Sequence, residues 1–596
     1  MIKVENLSYA FPQKDLYADV SFTIEDGQHC ALIGSNGTGK TTLVDMLLHD
    51  DKYMYDGKII RDVDGRYGYV SQCEKPSLAE GTQSVYEYLA QEFLLMQKEI
   101  EDICKEMETA EELDELLEKY QILLDEFTAV DGDNHESNIK KQLKLAGLTH
   151  LESLAIGAIS GGEYKLVQVI RQMLKKPSVL VMDEPDVFLD FENLSGLCDI
   201  INSYDGTLLV ITHNRYLLNR CFDKILHLED TDIQEFDGSF IEYNFYLLAK
   251  KVELQEQSAK DQEEIERNQK IVDKLRLNAT RVTSASRGKA LHARVSYLER
   301  LEARKIKAPF VELRQPRIVL PDVAPVVDET HLQDCVDGER KRVLCVQGYT
   351  REFEDILLDD VSFEIFEGEK VALVGPNGTG KTTLLRDIYR KASSAITIDE
   401  EATVGFLSQF QGEVLCESNT IYEEFEGFGF DTRAKVAEYL KEYCFEADVL
   451  GSKIETLSGG EKNLLQLAKI AATKADFLLL DEPTSHLDTY SQIALEKAIA
   501  DYAGTVLMVS HDFYTIVNCA DYILFVDDKS VRKMRIRSFR KMIYDNHFNK
   551  DYLELEQKKK ELELRIEALL KDNDYETAKE VCEQLEAHIK KMEDHM

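Results

Sequence analysis

Apolar runs recur along the chain in two matching trios. Cys30-Ala31-Leu32-Ile33, Ser178-Val179-Leu180-Val181-Met182 and Leu208-Leu209-Val210-Ile211-Thr212 are answered by Val371-Ala372-Leu373-Val374, Phe477-Leu478-Leu479-Leu480 and Val506-Leu507-Met508-Val509-Ser510. Runs without polar alternation predict strands buried on both faces, as in a parallel sheet covered by helices. Elsewhere the apolar period changes to three and four. Leu89, Phe93, Met96, Ile100, Ile103 and Met107 form one such stripe, and Ile241, Phe245, Leu248 and Val252 another, resuming at Ile265, Val272 and Leu275. Leu291, Val295, Leu298 and Leu301 suggest a helix returning antiparallel to the second stripe. Leu553, Leu555, Leu562, Leu564, Ile566 and Leu569, then Val581, Leu585 and Ile589, predict helices on either side of a turn at Asp572-Asn573-Asp574. No stretch reaches 18 apolar residues, so no membrane-spanning helix is predicted. Met1 to Leu7 run straight into a strand-like pattern and do not read as a signal peptide.

Length and charge add two constraints. At about 150 residues per domain, 596 residues require several cores. A net charge of −40 opposes non-specific binding to nucleic acid, so a nucleic-acid partner needs a local basic surface. The 11 cysteines include no CxxC pair, which points to reduced thiols in a cytosol rather than a disulfide framework or a zinc site.

Chemistry sits where the apolar runs end. After Ile33 come Gly34-Ser35-Asn36-Gly37-Thr38-Gly39-Lys40-Thr41-Thr42, and after Val374 come Gly375-Pro376-Asn377-Gly378-Thr379-Gly380-Lys381-Thr382-Thr383. Glycines in such a turn let backbone N–H groups approach phosphate oxygens at a helix N-terminus. The lysine neutralises the β- and γ-phosphates, and the hydroxyl of Thr41 or Thr382 ligates Mg²⁺. Asp183-Glu184 and Asp481-Glu482 close two further strands. The aspartates are placed to reach the Mg²⁺ shell, and the glutamates to orient or deprotonate an attacking water. His213 and His511 follow the last run of each trio, where a histidine can sense the terminal phosphate. Serines 160 and 458, glutamates 184 and 482, and histidines 213 and 511 each stand 298 residues apart, whereas lysines 40 and 381 stand 341 apart. The first half therefore holds an insertion between its phosphate loop and Ser160.

Together with Gln72, Gln409, Ser160-Gly161-Gly162-Glu163 and Ser458-Gly459-Gly460-Glu461, these motifs resemble the ABC ATPases. The resemblance implies two α/β cassettes of the P-loop NTPase fold, hydrolysing ATP with Mg²⁺. It implies head-to-tail pairing within one monomeric chain. Lys40, Glu184 and His213 would then work with the signature at Ser458, and Lys381, Glu482 and His511 with that at Ser160. Gln72 and Gln409 match the family's Mg²⁺- and water-contacting glutamines. Phe11 is the candidate for stacking on adenine. Phe353 is its weaker counterpart, because it does not align with Phe11 at the 341-residue offset.

Two fused cassettes with a charged helical linker, and the run Asp481-Glu482-Pro483-Thr484-Ser485-His486-Leu487-Asp488, resemble the ABC-F proteins, cytoplasmic ATPases of the ribosome. The implied organisation is a first cassette over 1–84 and 132–240, a helical arm over 85–131, an antiparallel helical linker over 241–321, a second cassette over 322–545 and a C-terminal coiled-coil extension over 546–596. The arm carries 15 acidic and three basic residues, so a basic ribosomal protein suits it better than rRNA. From Arg276 to Lys307 there are nine Lys or Arg and two Glu, the local basic surface that the overall charge requires. In ABC-F proteins this linker reaches from the tRNA exit region toward the peptidyl-transferase centre. Arg276, Arg281, Arg287, Lys289, Arg294 and Arg300 are the candidate tRNA contacts, serving a translation factor or antibiotic protection. The competing classes are the ATPase part of an exporter and a DNA-repair ATPase. The first cassette departs from the second at Asp186-Val187-Phe188, which stands against Thr484-Ser485-His486, so unequal sites are expected.

Overall fold

The computed structural model describes the chain except residues 12–13, 62–65, 73–75, 78–79, 109–112, 188, 282–294, 296–315, 324–340, 353–355, 431, 548–549 and 594–596. It divides into two compact units. One comprises Met1–Asp237 with Arg314–Ile543, the other Gly238–Leu313 with Tyr544–Met596.

The first unit holds both cassettes, each built on a six-stranded sheet. In the first, the order is Tyr67–Val70, Val179–Asp183, Thr207–Ile211, His29–Ile33, Lys224–Glu229 and Asp232–Asp237. In the second it is Val404–Leu407, Phe477–Asp481, Thr505–Val509, Lys370–Val374, Tyr522–Asp527 and Ser530–Arg535. Five strands of each sheet run parallel and the last is antiparallel. The six apolar runs are central strands, and every residue of Val179–Asp183, Thr207–Ile211, Phe477–Asp481 and Thr505–Val509 is buried. A three-stranded antiparallel sheet accompanies each core: Lys14–Ile24, Ile2–Phe11 and Asp56–Arg61 in the first, and Ile356–Phe366, Arg342–Glu352 and Ile396–Ile398 in the second.

The insertion of the first half contains helices Val85–Met107 and Asp114–Ala129. Ser84 and Glu87 form a capping box that starts the first of them. Leu89 and Phe93 of its stripe are buried, while Leu94, Leu95, Leu117 and Ile122 stay exposed.

The second unit contains helices Phe240–Arg281, Lys550–Lys571 and Tyr575–Glu593. The last two form a hairpin through Asn573, which takes a left-handed φ of 59° at the expected turn. Ile241 and Val252 are buried against Ile566, Leu570, Val581, Leu585 and Ile589. The N-terminal part of the linker stripe thus meets the C-terminal hairpin, because both present apolar residues at helical spacing. Lys579 pairs with Glu256 across this contact. Most of the expected returning helix, including Leu291, Leu298 and Leu301, lies outside the described residues, as do Arg287, Lys289, Arg294 and Arg300.

Candidate active sites at the interface of the two halves

Strands His29–Ile33 and Lys370–Val374 each feed a glycine turn and then a helix, Lys40–Leu48 or Lys381–Arg390. Gly39 and Gly380 precede these helices at φ 98° and 89°, a region that other residues enter only with strain. The lysines fold back over their loops. Lys40 Nζ donates to the carbonyls of Gly34 (2.9 Å) and Ser35 (3.0 Å), and Lys381 Nζ to those of Gly375 (2.8 Å) and Pro376 (2.6 Å). Burial draws both ammonium groups below their usual pKa, against the opposing pull of Asp488 and Glu184 on Lys40 and of Glu482 and Asp190 on Lys381. A desolvated cation at a helix N-terminus suits a polyanion such as a triphosphate.

Thr382 Oγ1 donates to Asp481 Oδ1 at 3.0 Å, and Thr41 bonds to Asp183. Asp481 Oδ2 is buried with no hydrogen-bond partner among the described residues. Burial raises both aspartates to about 6, and a cation beside them reverses that shift. No group of three or more His, Cys, Asp or Glu ligands occurs among the described residues. A hydroxyl and a carboxylate beside a phosphate loop therefore fit Mg²⁺, which keeps waters and phosphate oxygens in its shell, rather than a metal needing a protein cage.

Glu184 and Glu482 follow these aspartates in left-handed backbone, at φ 46° and 49°. Their amides donate to Ile211 O and Val509 O, both at 2.9 Å, so the neighbouring strand holds the strained turn in place. Gln72 Nε2 donates to Glu184 Oε2, and His486 of the other half lies 4.0 Å from that oxygen. Burial would raise Glu184, but His486, His213 and Lys40 more than offset it and leave its pKa lowered. At Glu482, burial and then Asp481 push the carboxyl up to about 8. His511 N donates to Glu482 Oε2 at 3.3 Å, and its ring lies 3.6 Å from Oε1. Burial, then the neighbouring lysine, lowers His213 to about 4 and His511 to about 3, so both are neutral near pH 7.

Ser160 and Ser458 cap helices Gly161–Leu174 and Gly459–Ala472. Glu163 Oε2 accepts from Ser160 N at 2.7 Å and Glu461 Oε2 from Ser458 N at 2.8 Å, closing a capping box at each signature. These two carboxylates are committed to their own helix ends.

The two halves meet crosswise. Asn36 Nδ2 donates to His486 O (2.7 Å) and Asn36 N to Asp488 Oδ2 (3.3 Å). A methyl group on Gly460 would lie 2.1 Å from Asn36 Nδ2 and 2.5 Å from the backbone oxygen His486 O, so a side chain at this signature position requires the backbone to shift. On the other side Asn377 N donates to Asp190 Oδ2 at 3.1 Å. A cavity of about 550 Å³ opens there, lined by Ser160 and Gly161 of the first half and by Lys381, Thr382, Thr383 and Gln409 of the second. Each phosphate loop thus faces the opposite signature, with Asn36 against Gly460 on one side and a shared cavity lining on the other.

Phe11 ends its strand half-exposed, paired in register with Lys14, whose Nζ donates to Gly37 O of the phosphate loop at 2.7 Å. The pairs Tyr9 with Tyr17 and Arg351 with Leu358 show that the first strand of each hairpin is offset by 342 residues and the second by 341. Position 353 is thus the counterpart of position 11, although Phe353 itself lies outside the described residues. Sequence reasoning singled out neither Arg215, which crosses to Glu496 and Asp512, nor Glu229, which holds Ser35. Arg215 has Phe513 at the 298-residue offset that exposed the other motifs, and Glu229, answered there by Asp527, belongs to no contiguous motif.

The unequal surroundings of the two glutamates lead to a first expectation. Glu184→Gln alone is expected to lower ATP turnover more than Glu482→Gln alone, because the surroundings of Glu184 hold its carboxyl below the usual range whereas burial and Asp481 push that of Glu482 up. Phosphate release by the two single variants checks this, and equal losses would count against it.

A family model described as ABC transporter matches residues 17–187 and 358–485. The ribosome protection protein VmlR of Bacillus subtilis is 28% identical over 550 residues, covering 89% of this chain and 88% of that protein. The energy-dependent translational throttle protein EttA of Escherichia coli is 28% identical over 531 residues, 87% and 90% of the two chains. ABC transporter F family member 5 of Arabidopsis thaliana is 28% identical over 541 residues, 88% and 75%. Among solved structures, the archaeal ribosome recycling factor aABCE1, in complex with the stalk protein aP1, matches with a TM-score of 0.52 at 18% identity, over 91% of this chain and 92% of that one, a likeness of fold. With two complete phosphate loops, signatures and Asp-Glu strand ends in one chain, the protein belongs to the ABC family and is an ATP hydrolase of the ABC-F type.

Proposed function

We propose that this ATPase acts on the translating ribosome, near the tRNA exit site, with its linker directed at peptidyl-tRNA or the peptidyl-transferase centre. The observation that carries the reading is the pairing of two crosswise ATP sites in one chain with a strongly basic segment in an otherwise acidic protein. Arg276 and Arg281 lie on the helix Phe240–Arg281, which leads into that segment. Nine Lys or Arg against two Glu favour a phosphate backbone as the partner. The relatives VmlR and EttA are named for ribosome protection and for throttling translation, which supports the same reading. Among the described residues no helix is long and apolar enough to cross a membrane.

In this reading, Lys40 and Lys381 hold the triphosphates, with Mg²⁺ supplying charge neutralisation beside Thr41, Thr382, Gln72, Gln409, Asp183 and Asp481. The signature serines and glycines close on the nucleotide from the opposite half. Glu184 and Glu482 orient the attacking water. Closure favours the ribosome-bound form and hydrolysis permits release.

Sedimentation through sucrose with ribosomes tests the proposal. Glu184→Gln/Glu482→Gln protein is expected to co-migrate with ribosomes when ATP is present and to stay at the top without it. Absence of co-migration at low salt, with wild-type ATPase activity intact, would overturn the ribosomal role while leaving the enzyme assignment untouched.

A further inference from the structure

The first phosphate loop has an anchor that the second lacks. Ser35 donates twice to Glu229 Oε2, from its backbone N at 3.1 Å and from Oγ at 2.8 Å. Glu229 ends the strand Lys224–Glu229, which runs beside the strand that feeds the loop. The contact is close: a methyl on Gly34 would lie 2.1 Å from Leu228 O. Two residues before Glu229, on the same face of the strand, is His227, with Nε2 3.8 Å from Glu229 Oε2. The fully buried His227 ring stacks on Tyr490 of the second cassette, with centroids 5.9 Å apart and an interplanar angle of 22°. Tyr490 belongs to the helix Thr489–Asp501, whose N-cap Asp488 accepts from the next loop amide, Asn36 N. Consecutive amides of one loop are therefore held by carboxylates from two different cassettes. Burial raises the Glu229 carboxyl, but His227 and Ser35 outweigh it and keep it below the usual range, so it is charged near neutral pH.

Sheet register identifies the counterparts in the second half. Ile33 pairs with His227, and Val374 with Phe525. The same offsets put Asp527 at Glu229, Pro376 at Ser35 and Glu192 at Tyr490. Proline has neither the N–H nor the hydroxyl that Ser35 uses. Asp527 is half-exposed and lies 4.0 Å from Arg532 instead.

We infer that Glu229, oriented by His227 and by Tyr490 across the interface, is a positioning residue for ATP at the first phosphate loop only. The inference rests on the reading of that loop as an ATP site. Glu229 fixes the entry of the loop so that the following amides meet the triphosphate, and the Tyr490 contact makes that geometry depend on the second cassette. The two loops therefore differ in affinity through one carboxylate.

The experiment is equilibrium binding of a fluorescent ATP analogue with Mg²⁺ to the full chain carrying Lys381→Ala, which removes the main cation of the second loop. Adding Glu229→Ala is expected to weaken binding about tenfold, the scale of a lost charge-assisted hydrogen bond. Glu229→Gln keeps an acceptor for Ser35 N and should stay within about threefold. Ser35→Pro gives the first loop the residue already present in the second and should weaken binding by a similar factor. Glu229→Ala added to Ser35→Pro should then cost nothing more. In Lys40→Ala protein, Asp527→Ala should leave binding unchanged. Unchanged affinity in Glu229→Ala, additive losses with Ser35→Pro, or an equal loss from Asp527→Ala would each overturn the inference. If Glu229→Ala fails to fold, the Ser35→Pro result decides, and undiminished binding there overturns it. Failure of the wild-type chain to bind the analogue would instead refute the ATP site itself.

Discussion

Glu184→Gln combined with Glu482→Gln is expected to lower ATP turnover by about a hundredfold or more while leaving nucleotide binding intact. The affinity resides elsewhere, in the buried ammonium groups of Lys40 and Lys381 and in the amides of the glycine turns. Glutamine matches glutamate in size, so the left-handed turns at 184 and 482, held by the amide bonds to Ile211 and Val509, have no steric reason to move. What is lost is the carboxylate that can take a proton from water, or hold it in line. At Glu482, burial and then Asp481 already disfavour the charged form, so the neutral amide suits that site, whereas at Glu184 it gives up the surroundings that favour a carboxylate. Parallel assays of phosphate release and nucleotide retention check this. Loss of both would mean that the glutamates hold the loops together, and persistence of turnover would mean that another group activates the water. Because the two glutamates have different neighbours, the single variants show how the loss divides between the sites.

The parts of this arrangement legible in the sequence are those written locally. Runs such as Phe477–Leu480 carry no polar alternation, and a strand covered on both faces needs none. The phosphate loops, the Asp-Glu strand ends and the two signatures are contiguous and repeat at fixed offsets, so the chain serves as its own comparison. The capping box was also written locally, in the Ser-x-x-Glu spacing of Ser160 and Glu163. The resemblance implied which loop faces which signature, but the individual contacts between halves were not legible. Nothing near Asn36 indicates His486, 450 residues away, because such pairings depend on how two finished surfaces meet. The aromatic at position 353 seemed misaligned because a one-residue shift between the two strands of a hairpin breaks a rigid offset, and only pairing register reveals it. The stripe at Ile241 suggests a returning helix as its partner, whereas Ile241 and Val252 pack on the C-terminal hairpin, for a related reason. Helical periodicity shows that a face is buried, not which partner buries it, and the C-terminal hairpin competes with any returning helix for that role.

Arg215→Ala is expected to have the largest effect outside the phosphate loops. Its guanidinium leaves the first cassette and reaches Glu496 and Asp512 of the second, with Nη2 at 3.0 Å from Asp512 Oδ2. The side chains of Arg215 and Glu496 are only 11% and 7% exposed. Burial opposes the arginine charge, and Asp512 and Glu496 more than offset that cost. Tyr514 lies under the cation at 4.7 Å. Removing the arginine leaves two desolvated carboxylates facing each other, and breaking a buried pair from one side typically costs about 3–5 kcal/mol. Both keep other donors, Glu496 having Thr515 Oγ1 (2.9 Å) and Asn518 Nδ2 (2.8 Å) and Asp512 having Thr515 Oγ1 (3.1 Å), so the loss is shared between them. Asp512 directly follows His511 and caps the helix Phe513–Cys519 through Tyr514 N at 2.8 Å. Disturbing it should therefore reach the histidine beside Glu482 as well as the interface. The clamp is one-sided, since the counterparts of Arg215 and Asp512 at the 298-residue offset are Phe513 and Asn214. The expected result is a lower melting temperature together with about a tenfold or greater loss of ATP turnover. Glu496→Gln added to Arg215→Ala should recover part of the stability by removing one of the stranded charges. Calorimetry and steady-state phosphate release separate the two effects. A lower melting temperature with normal turnover below the transition would confine Arg215 to holding the halves together and remove it from the path to His511.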